Sequence, residues 1–135
     1  MMHITEVGRP LMKKMLDEIF NQRRVPLEEI VETYFARGYR QRTNGSWSTR
    51  DEFVSHLSRV RDVVESMDIT VASELVEGER YADHHILRIH KRNGESTVQE
   101  VYAFARRDQD GRFLELQEVT LMTVGSETDR GLGQA

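Results

Sequence analysis

The chain has 135 residues, of which 38% are hydrophobic and 31% charged, a length and balance that suit one globular domain and exclude extended disorder. Its formal charge of −4 argues against nucleic acid as a partner, because phosphate backbones need a basic surface. It contains no cysteine, which excludes disulfides, thiolate chemistry and zinc–thiolate sites.

The opening residues, Met-Met-His-Ile-Thr-Glu-Val-Gly, lack the charged start and apolar run of a signal peptide. No apolar stretch nears the ~20 residues that cross a bilayer. The expectation is a cytoplasmic protein without membrane contact. Short basic clusters at Arg23-Arg24, at residues 37–42 and at Arg106-Arg107 each have carboxylates nearby and read as solvated surface.

Residues 9–21 place Leu11, Met12, Met15, Leu16, Ile19 and Phe20 at helical spacing behind Pro10, which suits a first turn. A second helix starts at Pro26, has Glu28-Glu29 in its first turn to favour the helix dipole, and is broken at Gly38. Residues 39–43 read as a short extended piece. Thr49-Arg50-Asp51-Glu52 forms a capping box that opens a third helix, with Phe53, Leu57, Val60 and Val64 on its apolar stripe.

After Met67 the period becomes alternating. Residues 69–76, 80–91, 97–107 and 112–124 read as four strands joined by Glu77-Gly78-Glu79, Asn93-Gly94 and Asp110-Gly111, the latter two being strong hairpin signals. Helices first and strands afterwards predict an α+β fold, with about three N-terminal helices packed on a curved, mainly antiparallel sheet. Residues 1–125 form the single domain and 126–135, polar and aperiodic, a flexible tail.

Glu118 shares a face of the last strand with Leu114 and Leu116, so it is expected to point toward the helices, and an unexplained inward carboxylate is a site candidate. On the 80–91 strand, His84 and His90 share a face with Ala82, Ile86 and Arg88, while His85 shares the other with Tyr81, Leu87 and Ile89. Alternation does not say which face is inside. His84 and His90 lie about 20 Å apart along an extended strand, too far to share a metal. No metal site is expected. Phosphate loops, nucleophile elbows and zincin helices are absent.

With Tyr34-Phe35 ahead of the first extended piece and Asp110-Gly111-Arg112-Phe113-Leu114-Glu115-Leu116-Gln117-Glu118 near the end, the chain resembles the nuclear transport factor two-like superfamily, in its SnoaL-like branch. The resemblance runs from about residue 11 to 124. It implies a cone-shaped fold (a cystatin-like roll) with a pocket at its open end, needing no cofactor. Members include isomerases, cyclases, dehydratases, epoxide hydrolases and non-catalytic binding modules, so fold does not determine function.

The resemblance sets Glu118 as the pocket acid, and Tyr39 and Gln41 as counterparts of a tyrosine–asparagine pair. His84 and Ile86 stand where epoxide-hydrolase relatives carry an arginine and an aspartate. The missing aspartate speaks against epoxide hydrolysis. The expected site is thus Glu118 and His84 as acid and base, with Tyr39, Gln41, Trp47, Ile86 and Tyr102 binding ligand. A small apolar or amphipathic ligand is expected, either simply bound or isomerised, cyclised or dehydrated as a carbonyl compound. A homodimer through the outer sheet face, carrying Tyr81, Leu87 and Ile89 opposite the pocket, is also expected.

Overall fold

The structure, a computed structural model, describes residues 3–4 and 11–133. Helix α1 (Leu11–Leu16) runs on into a π-helical turn (Asp17–Gln22), and the predicted stripe of Met12, Met15, Leu16, Ile19 and Phe20 is buried. Helix α2 (Leu27–Tyr34) follows, and α3 (Arg50–Val63) opens with the predicted capping box: Glu52 N–H donates to Thr49 Oγ1, and Thr49 N–H to Glu52 Oε1.

The strands are β1 (His3–Ile4), β2 (Phe35–Thr43), β3 (Ser46–Thr49), β4 (Val64–Glu77), β5 (Arg80–Lys91), β6 (Ser96–Arg107) and β7 (Phe113–Val124). They form one sheet in the order β1-β4-β5-β6-β7-β2-β3. Every pairing is antiparallel except β2 with β7, which is parallel. Asn93-Gly94 and Asp110-Gly111 make the expected turns, with φ of 91° and 84° at the glycines, where an L side chain would be strained. Register shifts in β4, β6 and β2 bend the sheet, as bulges do, and the helices fill its concave face. The fold is the expected α+β cone.

Three boundaries differ from expectation. Helix α2 ends at Tyr34, four residues before Gly38, because Phe35 and Tyr39 are already extended and buried in the core. Helix α3 stops at Val63, and Val64, expected on its stripe, instead begins β4 as a fully buried strand residue. The expected tail is ordered over residues 127–133: a 3₁₀ turn (Glu127–Gly133) packs on the sheet, with Leu132 in the core. It is tied down by Lys91 Nζ to Asp129 Oδ1 (2.8 Å), Gln99 Nε2 to the Asp129 carbonyl (2.6 Å) and His56 Nε2 to the Gly131 carbonyl (3.0 Å). Residues 134–135 lie outside the described part.

The faces of β5 correct a further expectation. Tyr81, Asp83, His85, Leu87 and Ile89 point into the core, and Ala82, His84, Ile86, Arg88 and His90 point out. Tyr81, Leu87 and Ile89 therefore cannot form an outer apolar stripe. The outer face carries Tyr102, Phe104, Val119, Leu121 and Val124 instead, all exposed.

Candidate functional site

One cross-strand row positions the chemistry. Glu74 of β4 pairs with Asp83 of β5, Asp83 with Ala103 of β6, Ala103 with Glu118 of β7, and Glu118 with Thr43 of β2. Period-2 alternation turns all five toward the helices. Three are carboxylates. The smallest side chain, Ala103, separates Asp83 from Glu118.

Glu118 points inward as predicted and is 5% exposed. Its Oε1 accepts from Gln41 Nε2 (3.1 Å) and Thr43 Oγ1 (3.3 Å), and Gln41 Oε1 in turn accepts from the Tyr39 hydroxyl (2.6 Å). Oε2 has no hydrogen-bond partner among the described residues. Burial lifts the Glu118 carboxyl to about 8; the Thr43 hydrogen bond opposes that rise and nearby Asp83 adds to it. At neutral pH Glu118 is mostly a neutral acid. Tyr39 holds its proton even more firmly, through burial and the neighbouring Glu118.

A second chain of bonds starts at the first helix. Glu74 accepts the Leu11 and Met12 backbone N–H groups, both at 3.1 Å, which satisfies two orphan donors of α1. The Tyr81 hydroxyl lies 2.6 Å from Glu74 Oε2 and 2.7 Å from Asp83 Oδ2, one proton serving two carboxyl groups. Burial and the two acids push the Tyr81 phenol far above its ordinary range. Asp83 Oδ1 is 2.8 Å from His85 Nδ1. His85 Nε2 is buried with no partner among the described residues. An imidazole with one nitrogen held by a carboxylate and the other free is the arrangement of an oriented general base.

The structure thus brings together Glu118, Gln41 and Tyr39 and leaves out the other expected residues. His84 faces outward, bonded to Glu100 Oε1 at 3.0 Å and stacked on Tyr102 at 4.3 Å between centroids. Ile86 shares that outer face, and Tyr102 is 42% exposed on it. Trp47 is exposed on β3 beneath the Arg40 guanidinium, 4.3 Å from its ring. Sequence reading missed Asp83 and His85. Their stripe includes Tyr81, Leu87 and Ile89, whereas the opposite stripe carries Arg88, and that contrast was the available signal. Ile86 leaves its position without an acid, while Asp83, three residues earlier on β5, is a buried carboxyl on the inner face.

A pocket of about 230 Å³ opens between β2, β3 and α3, walled by Gln41, Thr43, Ser46, Ser48, His56 and Arg59, with Phe53 as its apolar side. Two of those residues, Gln41 and Thr43, are the ones that hold Glu118. The acid therefore sits one hydrogen bond behind the pocket wall. His56 is buried enough to disfavour its charged form. Among the described residues no cluster of histidine and carboxylate side chains is arranged to hold a metal ion, and no helix is long and apolar enough to cross a membrane.

No family model matches the sequence. An uncharacterised protein of Schizosaccharomyces pombe is 32% identical over 105 residues, 78% of this chain and 80% of its own. Among solved structures, IdmH of Streptomyces antibioticus, described as a candidate polyketide cyclase, superposes with a TM-score of 0.65 at 14% identity, covering 91% of this chain and 94% of that one. A candidate isomerase of the SnoaL-like family from Agrobacterium tumefaciens superposes at 0.58 with 11% identity, covering 82% and 93%. At such identities these two likenesses speak for the fold.

Proposed function

We propose that this chain, which has the fold of the nuclear transport factor 2-like and SnoaL-like proteins, binds a small molecule in the pocket between β2, β3 and α3, the mouth pocket, and presents Glu118 to it as a proton donor. The observation that carries this is a buried carboxyl whose Oε2 has no partner among the described residues and whose Oε1 is held by two residues of the pocket wall, with burial favouring its protonated form. A neutral acid donates a hydrogen bond to a carbonyl or hydroxyl oxygen without bringing a charge into the core. Phe53 beside serines, Thr43 and Gln41 favours an amphipathic ligand over a wholly apolar one.

A second reading, catalysis without a cofactor, is favoured by the free Nε2 of His85. In it the His85 imidazole, oriented by Asp83, takes a proton at Nε2 from carbon next to a carbonyl, while Glu118 hydrogen-bonds or protonates the carbonyl oxygen. Isomerisation, cyclisation or dehydration would each use that pair. His85 replaces His84 in the role of base. General bases contribute about 10²–10⁴-fold.

Both readings meet one experiment. The chain is screened by NMR against small ketones, enones and hydroxy-ketones, and then incubated with any binder in D₂O. Binding that shifts the Gln41, Thr43 and Glu118 signals and weakens about tenfold in Glu118→Gln supports the pocket. Deuterium entering the ligand's acidic carbon, and lost in His85→Asn, supports catalysis. Ligands that bind with no response from those three residues would sink the proposal.

A homodimer through the outer sheet face, and residence in the cytoplasm as the lack of cysteine suggests, are part of the same proposal. The exposed side chains of Tyr102, Phe104, Val119, Leu121 and Val124 support the dimer, because apolar side chains grouped on one face are costly to leave wet.

A further inference from the structure

A larger cleft, about 600 Å³, lies away from the mouth pocket, between the α1–α2 connection, the β5–β6 hairpin and α3. The α3 residues that line it, Val54, Ser55, Ser58, Arg61 and Asp62, follow helical spacing along one side of the helix. Glu52, His56 and Arg59, which face the mouth pocket, lie on the opposite side. The two sites do not share a wall residue.

Three arginines meet in this cleft: Arg23, Arg61 and Arg92. None of them forms an ion pair among the described residues, although the chain has 23 acidic residues against 19 basic ones. Arg23 is held rigidly. Its backbone is left-handed, with φ of 53°, and its guanidinium donates to the carbonyls of Phe20, Arg61 and Val64. Those acceptors are neutral, so they fix the charge without cancelling it. Burial and the Arg92 and Arg61 charges all press Arg23 toward losing its proton, with Asp62 acting the other way. A strained residue kept in place by such over-determined bonding is a mark of a functional position. Arg61 extends from the helix, and Arg92 is steadied by its Nε–H on the Asp62 carbonyl at 3.1 Å. The Ser55 and Ser58 hydroxyls have no partner among the described residues.

With Asp62 and Glu28 as the only carboxylates among its described wall residues, against three arginines, those walls keep one net positive charge. We propose that it binds an oxyanion, a phosphate group above all. A tetrahedral phosphate accepts from guanidinium and hydroxyl donors on several sides at once, whereas a planar carboxylate is satisfied by one arginine fork. The phosphate belongs either to a small soluble molecule or to a lipid headgroup.

The test uses the full chain and does not depend on the mouth-pocket ligand. Inorganic phosphate is titrated at constant ionic strength against chloride, following the arginine Nε–H signals by NMR. Saturable shifts at Arg23, Arg61 and Arg92, with affinity falling at least about tenfold in the Arg61→Gln/Arg92→Gln double variant, are expected. Those side chains make no bond that holds the fold except Arg92 to Asp62, and an unchanged amide spectrum verifies folding. Sedimentation with phosphatidylcholine vesicles, with and without phosphatidylglycerol, separates the sources: capture only by the anionic vesicles assigns a headgroup, and phosphate binding without capture assigns a soluble ester. Shifts that never saturate, or that persist in the double variant, would overturn the site. Failure here leaves the Glu118 pocket untouched.

Discussion

Glu118 binds its proton more tightly in the folded chain than in an unfolded one, at about 8 against 4.5. Between those values the native state keeps a proton that the unfolded state releases, so stability falls as pH rises through the window and levels off above it. Each tenfold gain in proton affinity corresponds to about 1.4 kcal/mol, so a burial-driven rise of this size amounts to a few kcal/mol. Glu118→Gln keeps the shape and cannot ionise. Its melting temperature should exceed that of the native chain at about pH 9, while the two converge or reverse near pH 5; a native chain with no excess loss of stability between those conditions would contradict the protonated acid. This residue was legible because alternation alone sets it beside Leu116 on a strand whose apolar side must meet the helices. The histidine was not. Adjacent residues on a strand always face opposite ways, so choosing His84 over His85 inverted the whole stripe and concealed Asp83 with it.

Among the elements, the 3₁₀ turn Glu127–Gly133 was the least visible in the sequence, and the reason is physical. Seven residues at three per turn leave no amphipathic period, and what holds them are partners far along the chain. Asp129 is the centre of that hold, accepting from Lys91 Nζ and from Ser126 N–H and Oγ. Asp129→Ala should cost about 1–3 kcal/mol, because it strips several hydrogen bonds from a largely covered charged pair. Hydrogen exchange should rise selectively over residues 126–133; uniform change, or none, would mean that Leu132 and the Gln99 and His56 bonds to the turn's carbonyls anchor it without the Asp129 carboxylate. The capped helix, by contrast, was read correctly from four residues, since Thr49 and Glu52 satisfy each other's backbone donors locally. Its far end was misjudged because Val64 is apolar in either period, helical or extended.

For the whole molecule, the outer sheet face is the feature that bears on assembly. Phe104 is 70% exposed, with Val119 and Leu121 more than half exposed on the neighbouring strand. If that face joins two copies, Phe104→Arg or Leu121→Arg should leave monomers at micromolar concentration without lowering the melting temperature, as sedimentation velocity would read; a native chain that sediments as a monomer ends the dimer proposal. The general architecture was readable because hairpin turns and strand periods are local signals. The parallel seam between β2 and β7 was not, for it joins residues such as Gln41 and Glu118 that stand 77 positions apart. That seam carries a consequence in time. The four long strands β4 to β7 pair as consecutive hairpins and can zip early, whereas closing β2 against β7 spans most of the chain and comes late. Pulse-labelled refolding should accordingly protect amides of β5 and β6 before those of β2, and protection in the reverse order would refute it. The acid and the two residues that grip it then meet only in the last stage, so a newborn chain carries no functional site until it is nearly finished.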